Sequence, residues 1–256
     1  MKIDLTNKVS FVTGGSKGIG AGIVEVLAEC GANVAFIARN QKEITQFEEE
    51  INSKDGGRAF GIVGDVSNEE DVKNAIEKIV AKFGKLDYAV NNAGIDGGEY
   101  ALLHETKTEQ WNKVLSVNLD GVFFSMKYEI AQMMKQGAGS IVNIASVEGH
   151  TILSQNYAYT SSKHALLGLA KVAASDYADK GIRINTVSPG LIDTPLAATQ
   201  DSVNVYSPKI PMKRAGTPRE IGNAVAFLLS DLSPYTTGAE IVVDGGFLLV
   251  GVSSSK

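Results

Sequence analysis

A single α/β domain built on a doubly wound parallel sheet is the fold this sequence predicts. Three observations carry that prediction. Apolar, β-rich runs alternate with helical patterns from one end of the chain to the other. The strand runs are continuously apolar rather than alternating, as strands buried on both faces are. No linker, repeat or low-complexity tract interrupts the 256 residues, which are read as one domain, 1–256.

The elements follow in order. Residues 8–13 (KVSFVT) read as the first strand, 18–30 as a helix and 33–38 (NVAFIA) as the second strand. A polar helix over 41–53 leads to a strand at 59–63, a helix at 68–83 and a strand at 86–90. The region 108–136 is helical with a break near 118–121. A strand at 140–145, a helix at 155–178, a strand at 182–187, a helix at 218–229 and a strand at 239–243 complete the alternation. One segment departs from it. All six prolines fall between Pro189 and Pro234, and residues 195–216 show little periodicity. Long loops in compact domains are usually functional or mobile, so this one reads as a substrate lid.

Composition narrows the function classes. A net charge of −5 leaves no basic footprint for nucleic acid. Hydrophobic content of 44% is ample for a sizeable core, and 27 glycines imply many tight turns. Cys30 is the only cysteine, ruling out an internal disulfide, and at the end of a helical run it reads as a small core hydrophobe. No apolar run is long enough to cross a membrane, and MKIDLTNK lacks the apolar segment of a signal peptide. The expectation is a cytoplasmic protein with no metal site.

The stretch 139–163 concentrates chemistry-bearing groups. Ser146 falls where a parallel strand ends, the edge at which open α/β sheets bind ligands. Tyr159 and Lys163 follow on a helix, four residues and about 40° apart. Tyr157, six residues before Lys163, faces elsewhere. A hydroxyl, a phenol and an ammonium together make a proton-transfer site, because an adjacent ammonium favours the phenolate. Bringing a phenol from about 10 to neutrality takes about 4 kcal/mol of differential stabilisation.

Other motifs lie on the same expected edge. Thr13-Gly14-Gly15-Ser16-Lys17-Gly18-Ile19-Gly20 follows the first strand. Glycines there let the backbone approach a pyrophosphate seated on the next helix N-terminus. The pattern is neither G-x-G-x-x-G nor a phosphate-binding loop ending in Gly-Lys-Ser/Thr. No Asp or Glu occurs between Cys30 and Lys42, where NAD-binding folds place an acid on the ribose, and Arg39 ends the second strand instead. Arg39, with Lys17, therefore suits a 2′-phosphate. Gly64-Asp65-Val66 and Asn91-Asn92-Ala93-Gly94 close the third and fourth strands, and Asn118-Leu119-Asp120-Gly121 interrupts the long helix.

In this order, TGGSKGIG, GDV, NNAG, NLDG, Ser146, YTSSK, SPG and VDGG strongly resemble the short-chain dehydrogenase/reductase family across residues 5–247. The resemblance implies a Rossmann-like, seven-stranded parallel sheet in the order 3-2-1-4-5-6-7. It implies that Tyr159 is the catalytic acid/base, that Lys163 lowers its pKa and binds the nicotinamide ribose, that Ser146 bonds the substrate oxygen, and that Asn118 holds a relay water. For the cofactor, NADP(H), it implies contacts from Gly14, Ser16, Lys17, Gly18, Ile19, Gly20 and Arg39. Asp65 would meet the adenine, Asn91 and Gly94 the span from adenosine to nicotinamide, and Pro189, Gly190 and Thr194 the nicotinamide end, with Val66 and Ile192 also among the cofactor contacts. All four catalytic positions are intact.

The implied activity is hydride transfer between NADP(H) and a small or medium-sized secondary alcohol or ketone. A 3-oxoacyl-carrier-protein reductase is the alternative, and a non-catalytic dinucleotide sensor or scaffold a third. Family members acting on carrier protein usually carry an Arg on each of the two long helices; the matching positions here are Ala131 and Ser175, followed by Asp176, although Lys127, Lys135 and Lys171 are near. A homotetramer through those helices, with a contribution from the tail at 247–252, is a further implication. Glu148 and His150 stand close behind Ser146, as pocket-lining or polar loop groups. His104 and His164 read as surface or subunit-contact residues, and Trp111 as core.

Overall fold

The computed structural model describes residues 3–54, 58–98, 100–194 and 200–250. Seven strands are present: β1 (Val9–Thr13), β2 (Asn33–Ala38), β3 (Ala59–Val63), β4 (Tyr88–Asn91), β5 (Gly139–Ile144), β6 (Ile182–Pro189) and β7 (Glu240–Val243). They form one parallel sheet in the order β3-β2-β1-β4-β5-β6-β7, as the sequence leads one to expect.

Helices cover both faces. On one face α1 (Gly18–Glu29), α2 (Gln41–Asn52) and α8 (Pro218–Leu229) bury Ile23, Leu27, Ile44, Phe47, Ile221 and Val225. On the other, α3 (Glu69–Phe83), α5 (Gly121–Gln136) and α6 (Tyr157–Tyr177) bury Val72, Ile79, Met126, Met133 and Leu166. Two apolar layers on one sheet explain why the strand runs show no alternation. Among the described residues three shorter helices complete the set: α4 (Thr108–Leu115), α7 (Gln200–Tyr206) and α9 (Phe247–Val250).

Several boundaries differ from the sequence reading, each for a local reason. The fourth strand starts at Tyr88 rather than at residue 86, because the Gln136 side chain pairs with Leu86 in place of a neighbouring strand: its Nε2 donates to the Leu86 carbonyl at 2.8 Å and its Oε1 accepts from the amide at 2.9 Å. Helix α6 begins at Tyr157 rather than at residue 155, because Gln155 has a φ of 67°, outside the helical region. The expected break near Asn118 is a π turn over Ser116–Asp120, so α4 continues into α5 without leaving helical geometry. Of the expected lid, residues 195–199 lie outside the described residues; α7 and a short 3₁₀ turn, Ser207–Lys209, occupy much of the remainder. The end of the expected subunit-contact tail, residues 251–252, also lies outside them. Among the described residues no helix is long and apolar enough to cross a membrane, and none of their His, Cys, Asp and Glu side chains form a metal-binding group.

The sheet carries a buried acid. Glu129 of α5 is fully buried, and its Oε2 accepts from Asn91 Nδ2 at 3.0 Å, while the same nitrogen donates to Asn143 Oδ1 at 3.0 Å. Glu129 Oε1 and Asn91 Oδ1 are both buried acceptors without a donor. A proton on the carboxyl removes the unpaired buried charge, and burial pushes this carboxyl up to about 8, with the Asn91 hydrogen bond opposing. The folded value lies above the ordinary 4.5, so the stability is full below that value. As pH rises, the unfolded chain releases the proton first, and stability falls toward about pH 8, by at most about 1.4 kcal/mol per unit. Glu129→Gln should flatten this slope. Melting temperatures across that window check it: parallel losses in the two proteins would show that Glu129 does not hold the proton.

Candidate active site

The strand order reverses between β1 and β4, and a staple closes the crevice there. Thr13 Oγ1 accepts from the Asn92 and Ala93 amides, both at 3.0 Å. Asn92 Nδ2 donates back to the Thr13 carbonyl at 3.0 Å and the Gly14 carbonyl at 3.2 Å. Gly14 takes a φ of +64°, and a Cβ on Gly20 would lie 2.1 Å from the Gly14 carbonyl oxygen, so the turn closes only without side chains. Asn92 was visible in the NNAG motif, but nothing in the sequence assigned it this work.

The turn delivers the N-terminus of α1. That helix has no side-chain cap and no acid in its first turn, whereas Asn40, Asn68 and Thr217 cap α2, α3 and α8. Its leading amides at Gly18, Ile19 and Gly20 suit an anion. Ser16 is half-buried in the turn and Lys17 is exposed beside it. Arg39 is exposed at the end of β2, its Nη1 3.9 Å from Asp65 Oδ2.

At the other side of the crevice, Lys163 of α6 is 4% exposed, and its Nζ donates to the Ile144 carbonyl at 3.0 Å. The nitrogen lies 5.4 Å from the centre of the Tyr159 ring. Asn118, fully buried in the π turn, locks the loop after β4: its Oδ1 accepts from the Ile95 amide at 2.8 Å and its Nδ2 donates to the Ile95 carbonyl at 2.9 Å. The same Nδ2 donates to Ser162 Oγ at 3.3 Å, tying α6 to that loop. A Cβ on Gly94 would lie 3.4 Å from Asn118 Oδ1 and 3.8 Å from Lys163 Nζ, so these three residues converge. Ser146, at the end of β5, interacts with the Tyr159 phenol in the sense that favours the phenolate.

Burial governs the electrostatics of both groups in the free chain. Burial pushes the Tyr159 phenol above its ordinary value, Ser146 opposes that, and the charges of Glu148 and Asp96 add to it. Burial pulls the Lys163 ammonium down to about 8, with Glu148 opposing. Desolvation is the largest cause at both groups and sets the direction of each shift, disfavouring the charged form of each.

The two carboxylates are held in place. Asp96 accepts from Tyr100 Oη at 2.6 Å and Asn156 Nδ2 at 2.8 Å. Glu148 accepts from Thr160 Oγ1 at 2.8 Å, and burial raises its carboxyl. No periodicity or motif signals Asp96, Tyr100 or Asn156.

Three expected cofactor residues have buried side chains. Asn91 is buried between Glu129 and Asn143, Val66 packs against Gly121, and Ile192 lies in the core beneath Gly216. Pro189 and Gly190 end β6, where the Gly190 amide donates to the Val243 carbonyl at 3.0 Å; Thr194 is half-buried in the loop beyond. His150 pairs with Glu240 of β7 at 2.6 Å, and His164 lies on the exposed side of α6.

Known proteins match this arrangement along nearly the whole chain. A family model described as enoyl-(acyl carrier protein) reductase matches residues 14–248. The solved structure of a short-chain type dehydrogenase/reductase from Mycobacterium marinum superposes with a TM-score of 0.91 at 35% identity, covering 96% of this chain and 98% of that one. The chain belongs to the short-chain dehydrogenase/reductase family. Members of this family use nicotinamide dinucleotides, and this chain is an oxidoreductase of the CH–OH/C=O type. Among its relatives, the cyclohexanol dehydrogenase of Acinetobacter sp. strain SE19 is 40% identical over 96% of this chain and 97% of the relative. The 3-oxoacyl-[acyl-carrier-protein] reductase of Staphylococcus epidermidis strain RP62A is 39% identical over 95% and 100%.

Tyr159→Phe should remove nearly all turnover while nucleotide binding persists, and Tyr157→Phe should lose far less. Steady-state kinetics alongside nucleotide titration checks it; equal losses in the two variants would contradict the assignment.

Proposed function

We propose that this chain interconverts a small or medium-sized secondary alcohol and its ketone with NADP(H). The observation that carries the reading is the convergence of Tyr159, Lys163 and Asn118 beside Ser146 at the edge where the Gly14–Gly20 turn meets the crevice. A bound nicotinamide dinucleotide supplies the hydride and, when oxidised, a positively charged ring. In reduction the Tyr159 phenol delivers its proton to the carbonyl oxygen. Ser146 and Tyr159 donate to that oxygen as it gains charge. Lys163, with one donor spent on Ile144, turns its remaining donors to the ribose. Asn118 acts through its main chain, the π turn holding a relay water on its carbonyl, because its side chain is spent on Ile95 and Ser162. Gly14, Gly18, Ile19 and Gly20 receive the pyrophosphate end, Ser16 the adenosine ribose side beside Lys17, and Pro189, Gly190 and Thr194 the nicotinamide end.

Arg39 and Lys17 support the phosphorylated cofactor, both being exposed cations at the adenosine end of the crevice. Exposed apolar side chains on the long helices, Phe123 and Met134 of α5 and Val172 of α6, support a homotetramer.

A carrier-protein substrate is favoured by the names of the matching family model and the Staphylococcus relative. Against it, Ala131 and Ser175 stand exposed where steering cations would be needed, with exposed Asp176 beside the second. Acetoacetyl carrier protein, free diketones and ketoesters should be compared at low salt with each nucleotide. The free ketones should show the higher kcat/KM, and NADPH should outperform NADH. A marked advantage for the carrier-bound substrate makes the second reading correct; NADH ahead of NADPH overturns the cofactor assignment.

A further inference from the structure

Glu43 is the first acid after the second strand, and its side chain leaves its own helix. Asn40 caps α2 by accepting from the Lys42 and Glu43 amides at 3.0 and 3.4 Å. A capping glutamate at the third helical position usually reaches back to the backbone amide of the cap. Glu220 does so in α8, accepting from the Thr217 amide at 2.8 Å. Glu43 instead meets the Asn40 side-chain amide at 3.2 Å through Oε1 and sends Oε2 across to the glycine turn. There it accepts from Ser16 Oγ at 3.5 Å and stands 3.9 Å from Lys17 Nζ.

Both cations suited to a 2′-phosphate are thus already paired with a carboxylate, but the two pairs differ. Asp65, opposite Arg39, is anchored: its Oδ1 accepts from both the Ser67 amide at 3.0 Å and Ser67 Oγ at 2.7 Å. Glu43 sits on the solvent side of a first helical turn, and the carboxylate's hydrogen-bond and ion-pair partners are the side chains of Asn40, Ser16 and Lys17. Glu43 is held by side chains only, Asp65 by a backbone amide as well.

We propose that Glu43 is a resident counter-anion standing where the cofactor's 2′-phosphate binds, and that it limits the chain's preference for phosphorylated over unphosphorylated dinucleotide. The inference rests on the NADP(H) reading. A phosphate entering between Ser16, Lys17 and Arg39 displaces the carboxylate; a bare ribose hydroxyl does not have to. Exposed charges interact weakly one pair at a time, so the effect is graded, about three- to tenfold in affinity, rather than all-or-none.

Calorimetric titration of the full chain with adenosine 2′,5′-bisphosphate and with 5′-AMP, at low ionic strength, reads this without turnover. Glu43→Gln keeps the side chain's length and hydrogen-bonding capacity while removing its charge. It should bind the bisphosphate about three- to tenfold more tightly and 5′-AMP unchanged. The gain should shrink in a Lys17→Met background. A bisphosphate preference that is present and identical in parent and variant overturns the role of Glu43 and leaves the NADP(H) reading standing. No preference in either protein overturns both. Weaker 5′-AMP binding by the variant also overturns the proposal, because Glu43 would then be accepting from the ribose.

Discussion

The buried ammonium of Lys163 is the constraint around which the site is assembled. Taking a charge out of water is costly unless it is paired or hydrogen-bonded, and this one finds the Ile144 carbonyl at the end of β5. That carbonyl is available only where the strand stops, and Lys163 reaches it only because α6 starts at Tyr157, after the left-handed Gln155. Ser162, the residue before it, accepts from Asn118, and Asn118 holds both polar groups of Ile95. Four segments are thereby tied together: Lys163 joins α6 to β5, and Asn118 joins the π turn to α6 and to the loop after β4.

The same burial determines what the chain can do unaided. It lowers the lysine to about 8 and raises the tyrosine, so the protein alone keeps the proton on the phenol. Glu148 and Asp96 reinforce that state at Tyr159. A phenol of this kind is a poised acid for reduction. To act as a base in oxidation it needs positive charge beyond Lys163, and in this family a nicotinamide ring is the available source. Binding of the nucleotide and activation of the phenol are thus one event in this account.

Much of this was legible in the sequence, and the reason differs by element. The strands could be read because two-sided burial leaves them continuously apolar, and Tyr159 and Lys163 because helical spacing fixes their shared face. Gly14–Gly20 and Ser146 were legible as chain punctuation at strand ends. What the sequence hid depends on tertiary pairing. Asn91 belongs to a motif on the ligand edge, yet its amide points inward to Glu129, a partner 38 residues away. The shortened start of β4 depends on Gln136, 50 residues along the chain. The reversed pKa shifts arise from burial, which spacing does not reveal. Glu43 falls just past the interval where a ribose acid belongs, and only the fold carries it to Lys17.

The central claim is that the chain supplies an ordered but unactivated phenol. Ultraviolet difference titration of the unmodified protein against Tyr159→Phe isolates the ionisation of that one tyrosine, first alone and then with oxidised nucleotide. The account predicts ionisation above the ordinary phenol value in the free protein and a clear downward shift once the nucleotide is bound. A Tyr159 that already titrates near neutrality in the free protein would contradict it.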